Sequence, residues 1–170
     1  MRRTVQERRR RARLVALAAL RDGPWERFRR EHDLMGVQCV SYQELAMDER
    51  LGGSGGKVLW YDPGEYALVV VDEAHAYRNP DTDRAATLRR LLEGTPRKDV
   101  VLLTATPVNN SLWDLYHLLS YFIRNDAQFL PIGIPSLRRH FQEAEAEDPD
   151  DLSPEKLFDI LDAVAVRRTR

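Results

Sequence analysis

Apolar residues form three short, almost continuous runs separated by polar segments. The runs are residues 36–40 (GVQCV), 67–71 (ALVVV) and 100–103 (VVLL). Runs of this length are typical of strands that are buried on both faces of a parallel sheet. The sequence therefore predicts three strands.

Two segments between these runs have features of helices. Ser41 precedes YQELAM and is predicted to cap a short helix. The segment at residues 82–94 (TDRAATLRRLLEG) places Ala85, Leu88 and Leu92 at helical spacing, and Gly94 is predicted to end the helix.

A third helix is predicted after the third strand, within NNSLWDLYHLLSYF. Asn110 and Ser111 are both candidate caps. One apolar stripe is expected to contain Leu112, Leu115, Tyr116, Leu119 and Phe122. Because strands alternate with helices along the chain, the predicted fold is α/β, with a parallel sheet flanked by helices.

Composition narrows the class of protein. The 170 residues are 43% hydrophobic with a formal net charge of -1, and no apolar run approaches the length that spans a bilayer. The apolar segment at residues 14–20 is too short for a membrane helix and lacks an evident cleavage site. A single cysteine, Cys39, permits no internal disulfide. We expect a cytoplasmic protein with no membrane partner.

Charge is unevenly distributed along the chain. Residues 1–30 contain eleven arginines and three acids, whereas residues 143–162 contain nine acids and one lysine. The basic end fits either a nucleic-acid-binding arm or a solvated helix face, and the acidic end fits a solvated linker. The predicted organisation is an Arg-rich arm at 1–13, a domain at 14–142, and an acidic linker with a helix at 143–170.

The segment RLGGSGGKVLW, residues 50–60, resembles a phosphate-binding loop only superficially. In G-x-x-x-x-G-K-[ST] the lysine is followed by a hydroxyl residue, but Val58 follows Lys57. The glycine required five positions before Gly56 falls on Leu51. We interpret residues 52–57 as a flexible connector.

Chemically active residue types follow the second and third apolar runs. Asp72, Glu73 and His75 follow the second run, and Thr104-Ala105-Thr106-Pro107 follows the third. Ligands of parallel sheets bind at the carboxyl ends of strands, and adjacent carboxylates there are stabilised by a shared cation. A Mg²⁺-nucleotide would supply that cation. Each motif by itself also fits a simpler structure: a helix cap with a first-turn acid, or a strand-ending turn.

The combination of these motifs resembles the superfamily 2 helicases, in particular the bacterial Swi2/Snf2-related ATP-dependent DNA translocases. VVVDEAHAYRN is similar to motif II, LLTATPVNNSLWDLYHLLSYF to motif III and its helix, and VQCVSYQEL to motif Ib. PWERFRREHDL resembles the Trp-containing helix after motif Ia. VAVRRTR resembles the basic segment that leads from the first lobe toward the second. The resemblance covers about residues 14–170. It implies an incomplete RecA-like first lobe that begins near motif Ia.

The resemblance also implies roles for individual residues. Asp72 would hold the Mg²⁺ of Mg-ATP, and Glu73 would activate the hydrolytic water. His75 would act with Thr104, Ala105, Thr106 and Pro107 to couple the nucleotide to the nucleic acid surface. Ser41 and Tyr42 would lie near the backbone of double-stranded DNA.

Two departures from the family pattern affect this interpretation. The 170 residues contain no phosphate-binding loop, and no second lobe with arginine fingers follows motif III. We therefore expect a motor fragment that is inactive by itself, with the other parts encoded nearby or missing. Two alternatives stay open: a non-catalytic remnant that binds DNA or a protein, and a helicase-like motor of an RNA or restriction system.

Overall fold

The computed structural model describes residues 11–15, 21–95, 97–106, 111–123, 125–146 and 160–165. The chain forms two compact units, Met1–Phe122 and Ile123–Arg170. The first unit contains both predicted motifs.

A four-stranded parallel sheet organises the first unit. Its strands are β1 (Arg11–Val15), β2 (Val37–Val40), β3 (Tyr66–Val71) and β4 (Asp99–Leu102). They lie in the order β2-β1-β3-β4, and each neighbouring pair is parallel. The predicted parallel α/β sheet is confirmed.

Strand β1 was not among the predicted strands. It lies in the centre of the sheet, where Leu14 is opposite both Cys39 of β2 and Val70 of β3. Arg11 and Arg13 interrupt the apolar pattern, so the segment does not have the continuous run that identifies a buried strand. Because β1 begins at Arg11, the last three residues assigned to the basic arm belong to the sheet.

Strand β3 is buried on both faces, as its sequence predicts. Val69 and Val71 belong to the larger apolar cluster, which includes residues of the helices after β2, β3 and β4. Leu68 and Val70 belong to a second cluster with Leu34 and Val37. Strand β4 differs from its prediction because it is only partly buried, with Val101 42% exposed at the edge of the described sheet.

Within the described residues, five α-helices have defined bounds. They are α1 (Glu26–Glu31), α2 (Tyr42–Met47), α3 (Asp83–Leu92), α4 (Leu112–Leu119) and, in the second unit, α5 (Leu137–Ala146). Residues 160–164 are also helical. The Trp-containing segment thus includes a helix, and α5 runs through the predicted domain boundary between residues 142 and 143.

Serine side chains cap two of the predicted helices. Ser41 caps α2, and Ser111 caps α4 by accepting a hydrogen bond from the N–H of Trp113 at 3.1 Å. Asn110, the alternative cap, lies outside the described residues. Helix α4 ends at Leu119, so the predicted apolar stripe extends one turn too far when it includes Phe122.

The core face of α3 differs slightly from its prediction. Ala85 and Leu88 are fully buried, as expected, but Leu91 rather than Leu92 completes the buried stripe. The helix ends at Leu92, and Gly94 follows with a φ of 107°, a conformation that favours glycine.

The glycine-rich segment 52–57 is a compact loop rather than a flexible connector. Main-chain hydrogen bonds join Gly53 N–H to the Asp48 carbonyl at 2.9 Å and Gly55 N–H to the Met47 carbonyl at 2.7 Å. A Cβ at Gly53 would lie 2.3 Å from the carbonyl oxygen of Ala46. Only glycine permits this close approach between two stretches of backbone.

Asp48 holds the two ends of this loop. Its fully buried carboxylate accepts hydrogen bonds from the side chain and N–H of Arg50, and from the N–H groups of Val58 and Leu59. Burial raises the pKa of Asp48, but the hydrogen bonds from Arg50 and the amides outweigh that effect and hold the pKa below its ordinary value. The ionised carboxylate is therefore part of the folded loop.

The second unit has its own small core. Among the described residues of this unit, the buried apolar ones are Phe129, Ile134, Leu137, Phe141, Ala144 and Ile160. Helix α5 begins where Asp126 accepts a hydrogen bond from the N–H of Arg138 at 2.8 Å. The hydrogen bond with Ser136, followed by that with Arg138, holds the pKa of Asp126 below its ordinary value.

Candidate functional site

The predicted site residues that the structure describes follow strands of the sheet at one edge. Ser41 follows β2, Asp72 follows β3, and Thr104 lies two residues after the end of β4. Because the strands are parallel, their carboxyl ends all meet at this edge. Strand β1 separates β2 from β3, so Ser41 and Asp72 follow strands that are not neighbours.

The two motif segments are joined by main-chain hydrogen bonds. Leu103 N–H donates to the Val71 carbonyl at 2.8 Å, and Ala74 N–H donates to the Leu103 carbonyl at 2.9 Å. Ala74 is fully buried at this contact. A shift of either turn therefore requires the other turn to move or these bonds to break.

Asp72 has a half-buried carboxylate with two identified donors. The indole Nε1–H of Trp25 donates to Oδ2 at 2.8 Å, and the N–H of Glu73 donates to Oδ1 at 2.9 Å. Each carboxylate oxygen can accept more than one hydrogen bond or metal contact. Asp72 is therefore held in one orientation while acceptor capacity remains on both oxygens.

Glu73 occupies a strained backbone conformation. Its φ of 47° and ψ of 49° lie in the left-handed region, which costs a residue other than glycine about 1 to 3 kcal/mol. Its carboxylate Oε2 lies 3.1 Å from His75 Nδ1, without the alignment of a hydrogen bond. Both side chains are about one third exposed, at 35% and 36%. The strained turn brings the acid and the imidazole together beside solvent.

The segment after the acidic turn is anchored to the region of α4. The hydroxyl of Tyr121 donates to the Tyr77 carbonyl at 3.0 Å, and Arg78 Nε lies 3.8 Å from a carboxylate oxygen of Asp114. Arg78 lies within the segment VVVDEAHAYRN, which resembles motif II. These contacts position the segment after β3 against α4 and the residues that follow it.

The structure describes only part of the segment Thr104-Ala105-Thr106-Pro107. Thr104 Oγ1 accepts a hydrogen bond from the N–H of Thr106 at 3.2 Å, and Ala105 and Thr106 are exposed. Pro107 lies outside the described residues. The described part forms a turn at the sheet edge, with its second threonine open to solvent.

Ser41 and Tyr42 have different surroundings. Ser41 is 3% exposed, and its Oγ both accepts from the N–H of Glu44 at 3.2 Å and donates to the Glu44 carboxylate at 2.8 Å. Its hydroxyl therefore serves the capping box of α2. Tyr42 is half-buried, and the Arg84 guanidinium lies 4.4 Å from the centre of its ring.

Sequence reasoning missed Trp25 and Arg84 as members of this region. Trp25 is 47 residues from Asp72 in the sequence. Tyr42 begins the helix after β2, whereas Arg84 lies on α3, the helix after β3. The tryptophan was part of a segment that resembled the family, but no spacing rule connects it to Asp72. Only the tertiary fold brings these residues together.

The described residues include no cluster of three or more histidine, cysteine, aspartate or glutamate residues that could hold a metal ion. Within the same residues, every helix is too short or too polar to cross a bilayer.

Comparisons with known proteins support the family resemblance. A family model described as SNF2-related domain matches residues 12–170. The chain is 33% identical over 106 residues to "Uncharacterized ATP-dependent helicase YqhH" of Bacillus subtilis, which covers 62% of this chain and 17% of that protein. It is 30% identical over 134 residues to "Chromodomain-helicase-DNA-binding protein 3 homolog" of Caenorhabditis elegans, which covers 79% of this chain and 6% of that protein.

A solved structure has a similar fold. It is described as the Sulfolobus solfataricus SWI2/SNF2 ATPase core in complex with dsDNA. The TM-score is 0.62 at 16% sequence identity, and the match covers 98% of this chain and 36% of that one. The chain therefore has the fold of part of that core, and it spans a minor part of each of these relatives.

Proposed function

Because the chain belongs to the SNF2-related domain family, we propose that it is part of the first RecA-like lobe of an ATP-dependent DNA translocase. The observation that carries the proposal is the acidic turn at the carboxyl end of β3. There, Asp72 and Glu73 lie on a segment joined by main-chain hydrogen bonds to the turn after β4. Ligands of parallel α/β sheets bind at this edge.

In the proposed function Asp72 holds the Mg²⁺ that accompanies ATP. Mg²⁺ is bound in proteins through one or two carboxylates together with phosphate oxygens and water, which fits the single oriented carboxylate of Asp72. When bound, Mg-ATP supplies the phosphoryl group and the positive charge that offsets the charge on its phosphates.

Glu73 is the proposed general base for the attacking water. Its carboxylate is partly exposed and lies on the same turn as Asp72, so a water molecule can reach it. His75 Nδ1 lies 3.1 Å from the Glu73 carboxylate, close enough for the imidazole to interact electrostatically with it. We assign His75 to coupling rather than to proton abstraction, because its neighbour Glu73 is the stronger candidate base.

Motif III is proposed to transmit nucleotide state to the nucleic acid surface. The bond between Ala74 N–H and the Leu103 carbonyl makes motif II and motif III mechanically dependent. A movement of motif II on nucleotide binding would then be transmitted toward the nucleic acid by the motif III residues Thr104, Ala105, Thr106 and Pro107. Tyr42 is the stronger candidate for contact with double-stranded DNA, since the Ser41 hydroxyl is engaged in the helix cap.

The proposal places the phosphate-binding loop and the second lobe outside these 170 residues. Without those parts, the charge that develops in phosphoryl transfer lacks its main stabilising groups. A non-catalytic module that binds DNA or a protein partner is the second candidate, and the eleven arginines of residues 1–30 favour it.

ATP hydrolysis separates these candidates. We expect no DNA-stimulated turnover from the chain alone, and turnover in a longer polypeptide that adds a phosphate-binding loop and a second lobe. In that polypeptide Glu73→Gln should keep ATP affinity but lower single-turnover hydrolysis by roughly 10²- to 10⁴-fold, as expected for loss of a general base. Asp72→Asn should weaken Mg-ATP binding instead, because the cation loses an anionic ligand.

Glu93→Gln is the matched control, because it neutralises an exposed acid at the end of α3. Its turnover should equal that of the unmodified protein. Unchanged hydrolysis in Glu73→Gln would remove the catalytic assignment. Stimulation by duplex RNA rather than duplex DNA would favour an RNA motor.

A further inference from the structure

The hydrogen bond between Trp25 and Asp72 lies outside the roles described above. Trp25 is the last residue of a short π-helical turn, Arg21–Trp25, and helix α1 begins directly after it. Its indole Nε1–H donates to Asp72 Oδ2 at 2.8 Å across 47 residues of sequence. The bond joins the segment before α1 to the carboxylate proposed to hold Mg²⁺.

The indole of Trp25 is held by packing. It contacts the buried cluster on the second face of the sheet: Leu34, Val37, Leu68 and Val70. It also meets the ring of Phe28 edge to face, with 6.1 Å between ring centroids. A packed indole has few accessible rotamers, so its N–H points in a defined direction.

The other oxygen of Asp72 is also constrained. Its Oδ1 accepts the N–H of Glu73 at 2.9 Å, so the carboxylate has one donor on each oxygen. Two donors on opposite oxygens fix both side-chain torsions, whereas the main-chain donor by itself leaves Oδ2 free to rotate away. The indole therefore decides where the remaining lone pairs of Asp72 point.

We propose that Trp25 is a positioning residue that orients the Asp72 carboxylate toward a divalent cation. The inference rests on the proposed function, because it assumes that Asp72 binds that cation. Partners that orient a metal ligand through hydrogen bonds typically contribute 10- to 100-fold to metal affinity. A tether that only fastens the segment before α1 to the sheet would contribute to stability but not to cation affinity.

The hydrogen bond itself is tested by NMR of the 170-residue chain with ¹⁵N-labelled tryptophan. The chain has three tryptophans, and Trp25→Phe identifies the indole resonance of Trp25. We expect this N–H to exchange slowly with solvent, and to lose that protection in Asp72→Ala but not in Glu73→Gln. A Trp25 resonance that is unaffected by Asp72→Ala would overturn the inference.

The positioning role is tested by Mn²⁺ binding in the presence of ATP to the longer polypeptide that adds a phosphate-binding loop and a second lobe. Protein-bound Mn²⁺ is distinguished from Mn²⁺ held by free ATP through its larger enhancement of water-proton relaxation. We expect Trp25→Phe, which keeps an aromatic ring but removes the N–H, to weaken Mn²⁺ binding 10- to 100-fold. Leu34→Ala is the packing control, because it thins the same cluster and leaves the indole N–H in place. It should leave Mn²⁺ affinity close to that of the unmodified polypeptide.

The outcomes separate this inference from the proposed function. If Asp72→Asn abolishes Mn²⁺ binding but Trp25→Phe leaves it unchanged, Asp72 remains the metal ligand and Trp25 is only a tether. Equal loss of affinity in Leu34→Ala and Trp25→Phe also overturns the positioning role. If Asp72→Asn binds Mn²⁺ as well as the unmodified polypeptide, the metal assignment fails and the inference falls with it.

Discussion

Two aspartates in the first unit have opposite surroundings. Asp48 is fully buried and accepts five hydrogen bonds, of which two come from the Arg50 side chain and three from main-chain N–H groups. Asp72 is half-buried and accepts one hydrogen bond on each oxygen. Within the described residues, no ion pair joins Asp72 to a basic side chain.

The difference shows which carboxylate is available for chemistry. The lone pairs of Asp48 are used by groups of its own loop, so a cation or a substrate would have to break that loop. Asp72 is oriented but retains acceptor capacity toward solvent. A saturated carboxylate stabilises structure, whereas an oriented and unsaturated one can bind a ligand.

The hydrogen bonds of Asp48 also argue against phosphate binding by the glycine-rich segment. In such a loop the main-chain N–H groups point at phosphate oxygens. The N–H groups of Val58 and Leu59, which follow Lys57, donate to Asp48 at 2.9 and 2.6 Å. An internal carboxylate thus occupies donors that a phosphate would need.

Removal of the buried carboxylate should have the largest effect on stability. Asp48→Ala leaves three main-chain amides without their acceptor and removes two of the hydrogen bonds of the Arg50 guanidinium. Loss of one partner of a buried ion pair costs about 3 to 5 kcal/mol. Urea unfolding of the chain measures this loss. Asp62→Ala is the control, because Asp62 meets the same arginine at 3.2 Å from an exposed position and should cost about 1 kcal/mol or less. Equal losses would contradict the buried role of Asp48.

A methyl group inside the loop should have an intermediate effect. Gly53→Ala places a Cβ about 2.3 to 2.5 Å from backbone atoms of Ala46 and Met47, which cannot move as a flexible side chain can. We expect a loss of about 1 to 3 kcal/mol, typical of overpacking. In Gly64→Ala the new Cβ has nothing within 4 Å. If the two variants had the same midpoint of thermal unfolding, residues 52–57 would be the flexible connector that the sequence predicted.

Neutralisation of the less saturated aspartate should have the smallest effect on stability. Asp72→Asn keeps one oxygen acceptor and loses one of two hydrogen bonds, so we expect about 1 kcal/mol. Chemical denaturation of Asp72→Asn and Asp48→Asn measures the free energy of unfolding that each substitution costs. A loss as large as that of Asp48→Asn would indicate that Asp72 is a structural carboxylate.

The strand–helix alternation was largely predictable from local pattern. Residues of β3 are continuously apolar because both faces of the strand are buried, and Ser41 and Ser111 have the side chains that cap helices. The parallel sheet and the family were therefore recognised correctly. Strand β1 was not predicted, because Arg11 and Arg13 interrupt its apolar pattern. Its place in the sheet depends on pairing with β2 and β3.

The acidic turn was identifiable from sequence because its residue types and its position after an apolar run are local properties. The sequence determined that Asp72 and Glu73 follow a buried strand and that Lys57 lacks the hydroxyl neighbour of a phosphate-binding loop. Tertiary structure decided how much hydrogen-bonding capacity each carboxylate retains. Trp25 reaches Asp72 across 47 residues, and Val58 and Leu59 reach Asp48 across ten and eleven. Such contacts depend on how the chain returns on itself, which no short stretch of residues specifies.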